Sequence, residues 1–292
     1  MKYVLVRPLG GLNDIFNQIF KCANYVKSNG RELIIDTIPT DFNDDFFKYF
    51  IPKDDFIKPI STLNYEALSF YPDVKDELFE YLPVWKGEQA YAPNTKPHLR
   101  LTFDFTKDYE EDCLVHHAIG GGNSGWKEMK RFYIKDDIID SYKSCRERLP
   151  SSYCTLHIRH TDLTSHYQQF VEDNITELSE FEVTFLATDS IEVINEVRRL
   201  FPNFNFMTFS KNISTDVQPL HKMAERQHLD PYPINRDALV DLLLLVNSAK
   251  IFSPVARDES DIYYKTSKLS GFTRLALSLQ SDPDFMNSIV TP

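Results

Sequence analysis

The chain is sparing with glycine and cysteine, lacks a long hydrophobic run, and carries little positive charge; each shortage excludes something. There are nine glycines in 292 residues, so glycine marks places where the backbone needs it. Six of the nine fall in two clusters: Gly10 with Gly11, and Gly120, Gly121, Gly122 and Gly125. The four cysteines, Cys22, Cys113, Cys145 and Cys154, are far apart and form no CxxC metal signature. No stretch approaches the roughly 18 apolar residues that span a bilayer. The apolar part of Met1–Pro8 is too short for a signal peptide, so a reducing, cytoplasmic setting is expected, with the Asn174 and Asn212 sequons unused. A net charge of -11 excludes a general nucleic-acid or anionic-membrane binder, which needs a broad basic surface. A local basic pocket for a small anion remains compatible with it.

What is present suggests an α/β protein. At this length two domains are expected, and a hydrophobic content of 42% is ample for two cores. The first strand, the paired glycines, and apolar residues at helical spacing (Leu12, Ile15, Phe16, Ile19, Phe20) read as the opening of a Rossmann-like unit. The helix would start with free amides facing a crevice. Leu33–Asp36 reads as the next strand. The stretch from Asp41 to Leu82, rich in Phe, Tyr, Asp and Pro, reads as short helices and loops of an acceptor-facing region. His116 to Trp126 reads as a ligand-approaching loop, and Arg131 to Arg148 as a helix.

In the second half, strands are predicted at 153–157, 183–188, 205–209 and 250–253. Asp189 with Glu192 forms a capping-box pattern for the following helix. Ala238–Ser248 reads as an apolar helix, with Asp241 at its start, and a last helix begins near Leu269. Alternating elements imply parallel sheets covered by helices. Two Rossmann-like domains, 1–140 and 141–292, are expected to face each other across a cleft.

Four signals lie at ligand-facing ends of this second half. They are His157-Ile158-Arg159-His160-Thr161-Asp162 after a buried strand, Leu186–Asp189 after another, Asp241, and Thr266–Gly271, whose hydroxyls (Ser267, Ser270) and amides suit phosphate. Arginine offers phosphate a planar fork of donors and does not titrate away. A dinucleotide oxidoreductase fits less well, because Gly10-Gly11 lacks the spaced third glycine of GxGxxG.

With these motifs in this order, the chain resembles the fucosyltransferase superfamily of GT-B fold: the α1,6- and nodulation-type enzymes and, more distantly, the α1,2-type. His157–Asp162 is similar to that family's HxRxxD motif, Phe185–Asp189 to its second motif, Ser270–Ala276 to its third, and Gly10–Asn13 to its N-terminal glycine loop. The resemblance implies an inverting, metal-independent transfer of a sugar from a nucleoside diphosphate to a glycan hydroxyl. It places Arg159 on the donor diphosphate, His157 on the nucleotide, Asp241 on the base or ribose and Ser270 on the β-phosphate. Gly10, Gly11, Asn13, Asp189 and Ser267 complete the expected donor set. There are departures: Leu163 stands where the α1,6 enzymes carry lysine, Tyr167 where they carry glutamate, and Ser190 where they carry a second aspartate. A UDP-sugar such as UDP-xylose therefore stays open beside a GDP-fucose-like donor, as does an inactive nucleotide- or glycan-binding module of the same fold.

With that glutamate missing, the base must come from elsewhere. Asp73, in a turn beside Phe70 and Tyr71, is the leading candidate, with Asp14, His160 and Asp162 as alternatives. Tyr71, His116 and Trp126 are expected to line the acceptor site. No metal is expected, and His116 and His117 lack a full ligand set.

Overall fold

Val4–Pro8 is buried on both faces, as a central strand of a parallel sheet must be. It forms β1 (Tyr3–Pro8), and Gly10 turns the chain with φ 91° into α1 (Leu12–Asn29), capped at its end by Gly30 at φ 60°. The computed structural model describes residues 1–74, 84–86, 89–92, 99–120, 122–161, 164–210, 229–257 and 269–290. They divide into two compact units, Met1–Ile134 and Lys135–Val290. Among the described residues no helix is long and apolar enough to cross a membrane.

In the first unit, β2 (Glu32–Ile35), β3 (Phe50–Pro52), β4 (Ile57–Pro59), β5 (Phe70–Tyr71), β6 (Val84–Lys86), β7 (Gln89–Ala92), β8 (Leu99–Arg100) and β9 (Cys113–Ala118) precede α2 (Gly125–Met129) and β10 (Phe132–Ile134). The main sheet has the order β4-β2-β1-β9-β7-β6. Its β4, β2, β1 and β9 strands run parallel, and an antiparallel β6–β7 hairpin forms one edge.

Three expectations change in this unit. His116 and His117 lie on β9, buried, and not in a loop. The glycine cluster after them is pinned onto α1: Gln18 donates to the Gly120 carbonyl, and Asn17 donates to Gly122 O at 3.0 Å while accepting from the Ser124 and Gly125 amides. A Cβ on Gly125 would sit 2.9 Å from the Asn17 backbone nitrogen. That glycine therefore serves the approach of two helices. The aromatic run after Asp41 is core as far as Phe50: Phe46 stacks on Phe50 at 4.5 Å and packs against Phe16 and Phe132. Finally, Phe132–Ile134, expected to be helical, is a strand paired antiparallel to β3. Its aromatic and β-branched residues fit a pleated surface.

The second unit begins with α3 (Asp136–Arg146), so the break at 134/135 precedes the expected 140/141. It continues through β11 (Cys154–Ile158), β12 (Thr164–Ser165), α4 (Tyr167–Asp173), α5 (Ile175–Leu178), β13 (Thr184–Thr188), α6 (Ile191–Leu200), β14 (Phe206–Met207), α7 (Pro231–Val246), β15 (Lys250–Phe252), β16 (Ala256–Arg257), α8 (Gly271–Gln280) and α9 (Phe285–Ser288). Its sheet is wholly parallel, in the order β14-β13-β11-β15. The core joins β11 and β13 to α4 and α6 through Leu156, Ile158, Val171, Leu186, Ile194 and Val197.

Two boundaries differ from expectation here. Ser190, not Asp189, caps α6: its hydroxyl accepts from the Val193 amide. This frees Asp189 for another task. Helix α7 begins at Pro231, behind the Asp230 cap, because proline at the first helical position needs no hydrogen bond. Asp241 is therefore inside a helix and not at its start.

Candidate functional site: a phosphate cradle and a buried carboxylate

The chain runs from β11 outward to β13 and β14, then returns to place β15 on the other side of β11. The switch in strand order lies between β11 and β15. In open parallel sheets a ligand crevice forms there, outside the carboxyl ends of the strands.

From β11, His157 enters this crevice; it is buried, and its Nδ1 lies 2.7 Å from Thr273 Oγ1. From β15 comes Ser253, and from the start of α8 come Ser270 and Thr273. Thr273 Oγ1 lies 3.0 Å from Ser253 Oγ and 3.1 Å from Ser270 Oγ. Ser270 Oγ also accepts from the Thr273 amide, capping α8. The amides of Gly271 and Phe272 precede the first intrahelical bonds, so the positive end of the helix dipole is available to an anion. The His157 ring stacks on Phe272 at 5.2 Å. Burial, with help from Arg159 and against the pull of Asp189, lowers the His157 pKa to about 4. The imidazole is thus neutral at physiological pH and acts as a fixed hydrogen-bonding group.

Arg159 follows β11. Its Nε is 3.7 Å from Asp189 Oδ2, and the side chain is 26% exposed. Asp189 accepts from the His160 amide at 3.0 Å and from Thr161 Oγ1 at 2.7 Å. A carboxylate at the end of β13 therefore ties down the loop that carries Arg159. Ser165 donates to the Arg159 carbonyl from the other side. In the contacts described, Asp189 positions this loop.

Asp241 belongs to a different cavity of about 560 Å³, lined by α3, Phe209, Ser210 and α7. Ser210 donates to its Oδ2 at 2.6 Å, while Oδ1 is buried and has no partner among the described residues. Burial, with Asp237 adding to it, raises its pKa to about 7. Phe209 offers an aromatic face there, and Arg148 lies 4.7 Å from the Phe209 ring. A buried, unsatisfied carboxylate oxygen beside an aromatic ring is costly without a ligand and is suited to a planar donor edge.

The remaining expected residues are distributed as follows. His157, Arg159, Asp189 and Ser270 converge at the β11 crevice. Asp241 has no described contact with them. Ser267, Asp162 and Leu163 lie outside the described residues. Gly10, Gly11 and Asn13 belong to the first unit, at the start of α1, where the Gly10 amide donates to Asp41. Asp73 is exposed after the Tyr71–Pro72 bond, without the aromatic enclosure expected of it. Strand alternation explains this: Phe70 points into the core and Tyr71 outward onto Tyr109, at 4.7 Å. Tyr71 and His116 line neighbouring cavities of the first unit, and the half-buried Trp126 lines neither. Sequence reasoning missed Thr273, Ser253 and Ser210. Thr273 lies within Ser270–Ala276, but its place as hub between His157, Ser253 and Ser270 is visible only once α8 meets β11 and β15.

No family model and no curated protein matches the chain. Solved structures do match in fold. The NodZ α-1,6-fucosyltransferase co-crystallised with GDP is 19% identical, with a TM-score of 0.60 over 94% of this chain and 91% of that one. The fucosyltransferase NodZ from Bradyrhizobium is 17% identical, with a TM-score of 0.60 over 94% and 92%. POFUT1 in complex with GDP is 10% identical, with a TM-score of 0.52 over 96% and 95%. At such identities the likeness is one of fold: α/β with parallel sheets.

Proposed function

We propose that the chain is a glycosyltransferase that moves a sugar from a guanosine diphosphate donor to a glycan hydroxyl. The observation that carries the proposal is the cradle at the β11–β15 switch point. An arginine held by Asp189, a helix start and three linked hydroxyl groups surround a position suited to a diphosphate. The fold likeness to enzymes crystallised with GDP supports the same reading. Arg159 and the α8 amides would stabilise the charge that develops on the departing nucleotide, a role often taken by a metal. No metal is part of the proposal, and the displacement is taken to be direct and inverting.

Asp241 favours guanine over uracil. Guanine presents N1–H and its exocyclic amine side by side, two donors for one carboxylate. Uracil presents a single N–H between two carbonyls, one of which would oppose the carboxylate. A nucleotide that binds only the folded chain stabilises it by about 2.7 kcal/mol at a hundred times its Kd. GDP is therefore expected to raise the melting temperature by several degrees, and UDP at the same concentration by much less. Equal shifts, or a larger one with UDP, would remove the guanine assignment and restore a UDP-sugar. Binding without release of GDP from any sugar donor would leave a nucleotide-binding module.

Asp73 is proposed as the base that takes the acceptor proton. Its exposure suits a group that must meet an incoming hydroxyl. Asp73→Asn is expected to lower transfer about a hundredfold, at the low end for lost general-base catalysis, while GDP affinity stays unchanged. Wild-type turnover in that variant would take Asp73 out of the mechanism.

A further inference from the structure

The first unit carries two adjoining cavities of about 500 and 530 Å³ that share Arg100, Thr102, Phe103 and Phe105. The deeper wall of the first is built from α1 and β9. His116 Nε2 lies 2.8 Å from Gln18 Oε1, and its Nδ1 lies 2.5 Å from Thr102 Oγ1. Phe105 meets the His116 ring edge-on at 5.1 Å and Phe103 at 4.4 Å. Phe103 is buried, whereas Phe105 is half-buried and lines both cavities.

Two cations stand at this opening. Lys21 projects from α1 and Arg100 from β8; both are exposed. Neither makes a hydrogen bond or ion pair with any described residue. Both lie near enough to His116 to help burial depress its pKa to about 3, so the imidazole adds no charge. Among the described residues no carboxylate lines this cavity. Asp104, which lines the adjoining one, is already engaged by Thr106 and Lys107. Unbalanced positive charge is unusual on a chain of net charge -11. Among the described residues the pair has no counter-ion, and two like charges lining one cavity favour an anion between them.

We propose that this cavity binds an anionic sugar, its ring against Phe105 and its acid group between Lys21 and Arg100. Stacking of a sugar's C–H face on an aromatic ring accounts for the apolar floor. Paired cations account for the acid group, and the Thr102 hydroxyl offers a hydrogen-bonding group to a ring hydroxyl. A long polyanion is disfavoured, because a chain of net charge -11 would repel it. As the acceptor subsite of a transfer, the cavity rests on the function proposed above. As a binding site, it does not.

The test is calorimetric titration at low salt with tetragalacturonate, a sulfated heparin-derived tetrasaccharide, mannose 6-phosphate and neutral chitotetraose. At least one acidic sugar is expected to bind tenfold or more tightly than chitotetraose, and to weaken as salt screens the pair. The charged class that binds identifies the acid as carboxylate, sulfate or phosphate. The double variant Lys21→Gln, Arg100→Gln is expected to remove about tenfold in that affinity and most of its salt dependence. Its GDP-induced thermal shift is expected to remain that of wild type. Equal binding of charged and neutral sugars, no binding of any acidic sugar, or unchanged affinity in the double variant overturns the proposal. Acidic-sugar binding without any GDP shift would sink the nucleotide reading alone and leave this site standing.

Discussion

Replacing Arg159 with alanine is expected to lower sugar transfer about a thousandfold while the fold persists. The figure follows from removing one preorganised charge-stabilising donor, which commonly costs two to three orders of magnitude in rate. Arg159 is suited to this role because its chain position is held from both sides. Asp189 accepts from the two residues that follow it, and Ser165 donates to its own carbonyl. Its side chain stays partly exposed, so truncation leaves no buried cavity. The measurement is kcat for GDP release and transfer, with the melting temperature as control. Near-wild-type turnover in Arg159→Ala would show that the cradle does not hold the reacting phosphate. Arg159→Lys separates charge from geometry: a point charge without the planar fork should recover only part of the rate.

Asp241→Asn is expected to move binding and stability in opposite directions. In the proposed complex the carboxylate accepts two guanine donors. Asparagine keeps one acceptor and turns a donor toward a donor. Losing a charge-assisted bond and leaving a buried donor unsatisfied costs about 4 kcal/mol, close to a thousandfold in GDP affinity. Without nucleotide the sign reverses. The folded-state pKa of Asp241 lies near 7, above its ordinary 3.8, so the folded chain holds this proton more tightly than the unfolded one. The stability that this provides is present below about pH 4 and is lost as pH rises toward 7. Above pH 7 the ionised carboxylate bears the full cost of its desolvation. Asn removes that cost, so at pH 8 the ligand-free variant should melt above wild type, and below pH 4 the difference should vanish. Denaturant unfolding at the two pH values, beside GDP titration, checks both halves. A variant that loses stability at pH 8 would make Asp241 a structural residue.

The elements of the second unit were legible in the sequence because their signals are local. A buried strand followed by His157 and Arg159, or a serine heading an apolar helix at Ser270, is set by near neighbours in the chain. Where the reading went astray, remote partners decided. His116 and His117 look like loop residues beside four glycines. They are strand residues because β9 pairs in parallel with β1, and Gln18 and Thr102 meet the ring nitrogens of the buried His116. Asp189 looks like a helix cap, but Ser190 takes that position and Asp189 turns back to the loop of β11. Asp241 looks like a helix-start charge until Pro231 and Asp230 begin the helix earlier and Ser210 closes over it.

By itself, then, the sequence determined the parallel α/β character of both units and the strand ends at which chemistry could sit. Hydrophobic periodicity and the residues that follow each strand are enough for that. Only the tertiary structure decided which groups share a site. The switch in strand order between β11 and β15 gathers His157, Ser253, Ser270 and Thr273 from across more than a hundred residues. In the first unit, the packing of α1 and β8 likewise brings Lys21 and Arg100 to one cavity. Such juxtapositions depend on packing between elements remote in the chain, and no local pattern encodes them.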